Sequence, residues 1–329
     1  MKKTILSLIM LAGAMSVSAN VTEMKKTDPI RQKITWQAPA APSNGEGEIE
    51  KIYLAYNTPD GKEHNLICEM PWPVSADMFV GGDITEEDIN FDGIPDLQVF
   101  LCFVDATGRN AIYDGFVWNT DTHTFLPVEG YSDIVSPNID VESKCIVGRE
   151  ISFEETADVE QYEWRDGKLQ RTYRRFEYDI YGNKGGETID TAWDYDDDEN
   201  ITKVTLFVYN DGDLQQTLET TEWLEAGPNN KEEVGTLSRN DINFDGHPDI
   251  LVYLGQYSNL GLDFYDAWVW DTAKKSYTRV DKYHEIPCPS ENPEKEWIES
   301  VSAVSFSQSV YLRYEWKKGK LVLTKKENQ

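Results

Sequence analysis

Two short stretches of the sequence place oxygen-bearing side chains at a spacing that suits a hard metal ion. The first is Asp88-Ile89-Asn90-Phe91-Asp92-Gly93-Ile94-Pro95-Asp96-Leu97, and the second is Asp241-Ile242-Asn243-Phe244-Asp245-Gly246-His247-Pro248-Asp249-Ile250. Asp88, Asn90, Asp92 and Asp96 fall at loop positions one, three, five and nine, as do Asp241, Asn243, Asp245 and Asp249. Calcium takes about six to eight oxygens at roughly 2.3–2.6 Å, and a tight loop aims alternate side chains at its centre. The backbone carbonyl of Ile94 or His247 is then the donor at position seven. Gly93 and Gly246 stand at position six, where the sharp turn opposes a side chain. Three carboxylates crowded into nine residues repel one another, and a divalent cation removes that cost. The expectation is two Ca²⁺ sites; the rival is an Asx-rich turn without metal, which the same residues favour. Val99 and Val252 occupy position twelve, where an EF-hand carries a bidentate Glu, and the chain runs on into a strand. The loop is therefore not an EF-hand.

The elements around these loops are themselves repeated. Tyr113-Asp114-Gly115-Phe116-Val117-Trp118 matches Tyr265-Asp266-Ala267-Trp268-Val269-Trp270, and Tyr162-Glu163-Trp164 matches Tyr314-Glu315-Trp316. Matches in constant order mean two copies of one unit, residues 48–182 and 201–329. Residues 1–19 read as a signal peptide, 20–47 as an extended leader, and 183–200, with its run of acids and glycines, as a solvated linker. Within each copy the apolar residues alternate or run in short Val-, Ile-, Phe- and Tyr-rich bursts, which is strand patterning. Pro59-Asp60-Gly61, Asp166-Gly167, Asn210-Asp211-Gly212 and Lys318-Gly319 divide the bursts as hairpin turns do. Leu97–Phe103 and Ile250–Leu254 are apolar on both faces and predict inner strands. The fold class expected is all-β, two duplicated antiparallel units, propeller-like or sandwich-like, each with a strand-flanked calcium loop.

The loop D-x-N-x-D-G-x-x-D resembles the calcium loops of FG-GAP and integrin-type β-propeller repeats. With its following strand and Tyr-x-x-x-Val-Trp segment, the longer stretch is similar to a group of small exported proteins of Gram-negative bacteria. Some of these bind calcium, and some inhibit lysozyme-type peptidoglycan hydrolases as immunity proteins. The resemblance implies metal ligation by the eight side chains above, with Ile94 and His247 acting through backbone oxygen. It implies no inhibitory surface, because no inhibitory motif is present.

The signal reading rests on Lys2-Lys3, the apolar run Ile5–Ala14 and the small residues Val17-Ser18-Ala19. Cleavage after Ala19, with no cysteine before Cys68, predicts a periplasmic or secreted protein. There Cys68, Cys102, Cys145 and Cys288 are free to form disulfides, and three full pairings exist. A net charge of −28 repels phosphate backbones and favours metal cations and basic protein partners. Neither Gly-x-Ser-x-Gly nor His-Glu-x-x-His occurs, and the four histidines share no zinc spacing. The expected function is a non-enzymatic binding module whose partner is a basic protein, a lysozyme-type cell-wall hydrolase being the named candidate. The alternative is a glycan-binding or structural surface protein, with Trp72 and Trp223 beside the loops as the candidate sugar contacts. The other repeated tryptophans read as core.

Overall fold

The computed structural model describes residues 28–33, 35–36, 48–75, 79–181, 184–220, 233–257, 261–305 and 308–328. The expected signal peptide and Trp223 lie outside the described residues. The described chain is all-β and antiparallel, with short 3-10 turns and no α-helix.

Strand β2 (Glu48–Asn57) alternates buried Ile52, Leu54 and Tyr56 with more exposed neighbours. It pairs with β1 (Thr35–Trp36) on one side and β3 (Glu63–Ser75) on the other. A four-stranded meander follows: β4 (Ile84–Glu87), β5 (Asp96–Phe103), β6 (Ala111–Asn119) and β7 (Thr124–Pro127). The third sheet begins with β8 (Asn138–Asp140), β9 (Cys145–Ile151), β10 (Ala157–Arg165) and β11 (Lys168–Glu177). It continues without a break through β12 (Glu187–Tyr195), β13 (Ile201–Asn210) and β14 (Asp213–Thr220), giving seven strands. Two more four-stranded meanders complete the chain. One holds β15 (Leu237–Asn240), β16 (Asp249–Tyr257), β17 (Leu262–Asp271) and β18 (Ser276–Arg279). The other holds β19 (Pro289–Asn292), β20 (Trp297–Ser305), β21 (Gln308–Lys317) and β22 (Lys320–Asn328).

The hairpin turns lie where Asp-Gly and Lys-Gly pairs predict them. Asp166-Gly167, Asp211-Gly212 and Lys318-Gly319 have φ values of 49 and 78, 50 and 84, and 54 and 73°. Two consecutive positive φ angles are what a type I′ hairpin requires.

Each loop-bearing meander is covered on both faces. Leu97, Val99, Leu101, Phe116 and Trp118 pack against Ile52, Leu54, Tyr56 and Leu66. On the other face Ile89, Val128, Tyr131 and Ile134 meet Ile146, Trp164 and Leu169. The same layering recurs, with Ile250, Val252 and Trp268 against Val204, Leu206 and Val208, and Ile242, Leu251 and Tyr283 against Ile298 and Trp316. Continuous apolar runs in β5 and β16 follow from this double cover. Registers agree as well: Ile84 opposite Val99 matches Leu237 opposite Val252, and the irregularity between Gln161 and Tyr162 recurs between Arg313 and Tyr314.

Two stretches differ from the sequence reading. Residues 183–200 were expected as a solvated linker, yet Glu187–Tyr195 form β12, bonded to β11 over Tyr173–Phe176 and to β13 along its length. The acids of 194–200 obscure a strand whose Ile189 and Trp193 pack on the adjoining core. The leader 20–47 is likewise built into the first unit at Asp28 and Arg31, both buried. The Trp118 indole N–H donates to Asp28 at 2.9 Å, while Arg31 reaches the Pro95 carbonyl at 3.1 Å and Glu86 at 2.8 Å. The four cysteines are free thiols, three of them buried.

Candidate metal loops

Each candidate loop connects a short outer strand, β4 or β15, to an inner strand, β5 or β16, and is knit by its own side chains. Asp88 accepts the N–H groups of Asp92 and Gly93 at 3.0 and 2.9 Å. Asn90 accepts Asp92 N–H at 3.1 Å, and Asp92 accepts Ile94 N–H at 2.8 Å. The second loop repeats this bond for bond: Asp241 takes Asp245 and Gly246 at 3.1 and 2.9 Å, Asn243 takes Asp245 at 3.1 Å, and Asp245 takes His247 at 2.9 Å. Phe91 and Phe244 adopt φ of 58 and 62°, and Gly93 and Gly246 of 88 and 87°. Two left-handed residues per loop make the reversal this tight, and glycine takes one of them without steric cost.

Asp96 and Asp249 lie deepest, with no exposed surface. Asp96 accepts N–H groups from Ile89 at 2.9 Å, Asn90 at 3.2 Å and, across the sheet, Trp118 at 2.7 Å. Asp249 accepts Ile242 at 3.0 Å, Asn243 at 3.3 Å and Trp270 at 2.8 Å. Burial pushes Asp96 up to about 7 and Asp249 up to about 6, although the three N–H groups favour each anion. Asp92 and Asp88 push Asp96 further up, and Asp245 does so to Asp249. A third sheet clasps each loop from outside: Trp164 donates its indole N–H to the Ile89 carbonyl, and Trp316 to that of Ile242, both at 2.7 Å.

Asp88, Asn90, Asp92 and Asp96 are thus gathered in one loop, and Asp241, Asn243, Asp245 and Asp249 in the other. Ile94 is buried in the first core and His247 is exposed. The donors are all hard oxygens crowded enough to repel, which is the chemistry a divalent cation relieves. Their oxygens also engage backbone N–H groups, and among the described residues no group of three or more His, Cys, Asp or Glu is arranged to hold a metal.

Of the two tryptophans singled out for a sugar, Trp72 lies on β3, 40% exposed. An open groove of 610 Å³ instead borders the second loop, lined by Asn243, Asp245, Val269, Asp271, Thr278 and Trp316 among others. The sequence signal for Trp316 was its repeat partner Trp164, which by itself reads as core. Asp28 and Arg31 carried no signal, because their partners are about 55–90 residues away in sequence.

One matched position exchanges charge. In the first unit Arg31 stacks over Phe125 at 4.9 Å and pairs with Glu86 of β4. In the second, Arg239, standing where Glu86 stands, stacks over Tyr277 at 5.6 Å and pairs with Glu187 of β12 at 2.8 Å. The place of Glu86 thus carries a cation beside the second loop, and its partner Glu187, facing Asn210, stands where Thr35 faces Asn57.

Among the described residues no helix is long and apolar enough to cross a membrane. No protein-family model matches the chain, and neither does any curated protein. Among solved structures, a Xanthomonas protein described as type IV secretion system related is 17% identical, with a TM-score of 0.31, and the match covers 57% of this chain and 88% of that one. A hypothetical selenium-binding protein from Sulfolobus tokodaii is 9% identical, with a TM-score of 0.24 over 93% of this chain and 76% of that one. Likenesses of this strength carry no inference about activity.

Proposed function

We propose that this chain is an exported calcium-binding β-protein, built from two copies of a three-sheet unit stacked sandwich fashion, that works by binding another macromolecule. The observation that carries the metal reading is the loop itself, whose hydrogen bonds recur bond for bond while both copies keep three carboxylates and one amide. Asp88, Asn90, Asp92 and Asp96, with the Ile94 carbonyl, hold one ion; Asp241, Asn243, Asp245 and Asp249, with the His247 carbonyl, hold the other. Calcium there neutralises the crowded carboxylates. The chain's own part is to fasten the loop, through Asp96 and Trp164 or Asp249 and Trp316, to the sheets on either side.

The net charge of −28 speeds encounter with a basic protein, because opposite fields steer diffusion. A basic lysozyme-type cell-wall hydrolase carries the opposite charge, and the loop's resemblance to exported inhibitor proteins supports the same choice. Mixing the purified protein with a panel of such hydrolases, with calcium and with chelator, and measuring residual wall hydrolysis tests it. Lower hydrolysis is expected; unchanged activity across the panel removes the inhibitor reading. A glycan-binding role is the second reading, favoured by the groove between the second loop and Trp316 rather than by Trp72.

A further inference from the structure

The β10–β11 and β21–β22 hairpins share one register. Gln161 opposite Tyr173 matches Arg313 opposite Lys325, and Glu160 opposite Arg174 matches Leu312 opposite Lys326. Their outer edges have different fates. The edge of β11 is paired with β12, Tyr173–Phe176 facing Asp194–Thr191. Strand β22 ends its sheet, and among the described residues nothing pairs with its outer edge. Val322 and Leu323 are 40 and 46% exposed there, where the matched Gln170 and Arg171 are partly buried.

The strand that fills the first edge shows what chemistry suits it. β12 carries Glu187, Asp190 and Asp194, and its rings lie beneath β11 guanidinium groups: Arg174 over Trp193 at 5.3 Å, Arg171 over Tyr195 at 4.8 Å. Arg175 pairs with Asp190 at 2.8 Å. The β21–β22 hairpin carries Arg313, Lys317, Lys318, Lys320, Lys325 and Lys326 against Glu315 and Glu327. It is a basic ribbon on a strongly acidic protein. Lys326 holds the place of Arg174, while Leu323 and Glu327 hold those of Arg171 and Arg175, so one of the three clasping cations is kept; neither Lys326 nor Lys320 has an ion pair among the described residues. Unpaired backbone groups give such an edge affinity for an extended chain; lysines on an edge deter neutral and basic strands, which narrows the occupant to a strand that brings carboxylates to them.

We infer that the outer edge of β22 is a docking site for an extended acidic strand of a partner protein, added antiparallel as β12 is added to β11. This surface is separate from the acidic one proposed to meet a basic hydrolase. The probe is a fluorescent peptide with the sequence of β12, Glu187–Tyr195, titrated with the full chain and followed by anisotropy. Saturable binding below about 1 mM is expected, weakened about tenfold or more by Lys325→Glu with Lys326→Glu. The same peptide with proline at alternate positions is expected not to bind, because ladder donors are lost. Circular dichroism melting of the double variant establishes that it folds. Absence of saturable binding, or equal binding by wild type and the folded double variant, overturns the assignment. So does a mass for the peptide-free protein that rises with concentration and falls to monomer in the variant, since a second copy would then be the occupant.

Discussion

Trp164 donates its indole N–H to the backbone carbonyl of Ile89 at 2.7 Å, joining the third sheet to the second residue of a candidate calcium loop. Trp316 and Ile242 repeat the contact in the second unit. An indole at this place acts both as packing and as a latch, because a buried N–H must find a partner. The loop is held from one side by this latch and from the other by Asp96 or Asp249.

Removing the inner carboxylate tests that arrangement. Asp96→Ala leaves the N–H groups of Ile89, Asn90 and Trp118 without their acceptor, two of these bonds being buried. An orphaned buried donor costs about 1–3 kcal/mol, so the variant is expected to lose about 3 kcal/mol or more in urea unfolding. Asp96→Asn keeps one acceptor oxygen and is expected to lose less.

Calcium binding has a stoichiometric signature. Asp92→Ala and Asp245→Ala are each expected to halve the bound calcium measured by titration calorimetry, and both together to abolish it. At free calcium about one hundred times the dissociation constant, each occupied site adds about 2.7 kcal/mol to stability. Calcium should therefore raise the melting temperature and a chelator lower it; a melting curve indifferent to both contradicts the metal sites.

Asp114 supplies a pH dependence away from the loops. Burial pushes its carboxyl up to about 6 from 3.8, outweighing the Gly115 N–H and the Cys68 thiol that favour the anion. The folded state therefore holds this proton more tightly than the unfolded chain. The stability it contributes is full below about pH 4 and is lost as pH rises through about 6. In calcium-free protein Asp96 and Asp249 add the same sign through about 7 and about 6, so the measurement is made in chelator. Asp114→Asn is expected to reduce the loss of stability between about pH 4 and pH 8 by roughly 1–3 kcal/mol, read from urea unfolding across that range.

The two loop-bearing meanders solve one packing problem differently. A methyl group on Gly115 would lie 2.6 Å from the Tyr131 ring, whose hydroxyl is bonded to Gln98. At the matched places near the second loop stand Ala267 and Leu251, and the buried Tyr283 hydroxyl there has no hydrogen-bond partner among the described residues. Gly115→Ala is expected to cost about 1–3 kcal/mol, by forcing the ring from its partner. Tyr283→Phe is expected to be neutral or stabilising by up to about 1 kcal/mol, since it removes an unpaired polar group. Thermal melts of the two variants measure both.

The loops, the hairpin turns and the inner strands were legible because each is encoded locally, by Asp and Asn spacing, Asp-Gly pairs or an unbroken apolar run. Strand β12 was not legible, since its flanking acids and glycines satisfy the composition of a linker while its partners Tyr173–Phe176 lie across a turn. The roles of Asp28 and Arg31 were hidden for a related reason: a short polar leader acquires meaning only when Trp118 and Glu86 are folded against it. Trp164 and Trp316 were read as core, and their indole N–H contacts with the loops are the part that repetition alone does not disclose.

The seam between β11 and β12 makes the halves of this molecule poor candidates for separate lives. Severed after Glu177, the first half would present the bare ribbon Tyr173–Phe176, and the second would begin with the equally naked margin of β12. Fragments of that kind adhere to themselves and to each other. Expressed apart, the halves should precipitate singly and regain solubility on mixing, so that the boundary between the repeats is also a suture.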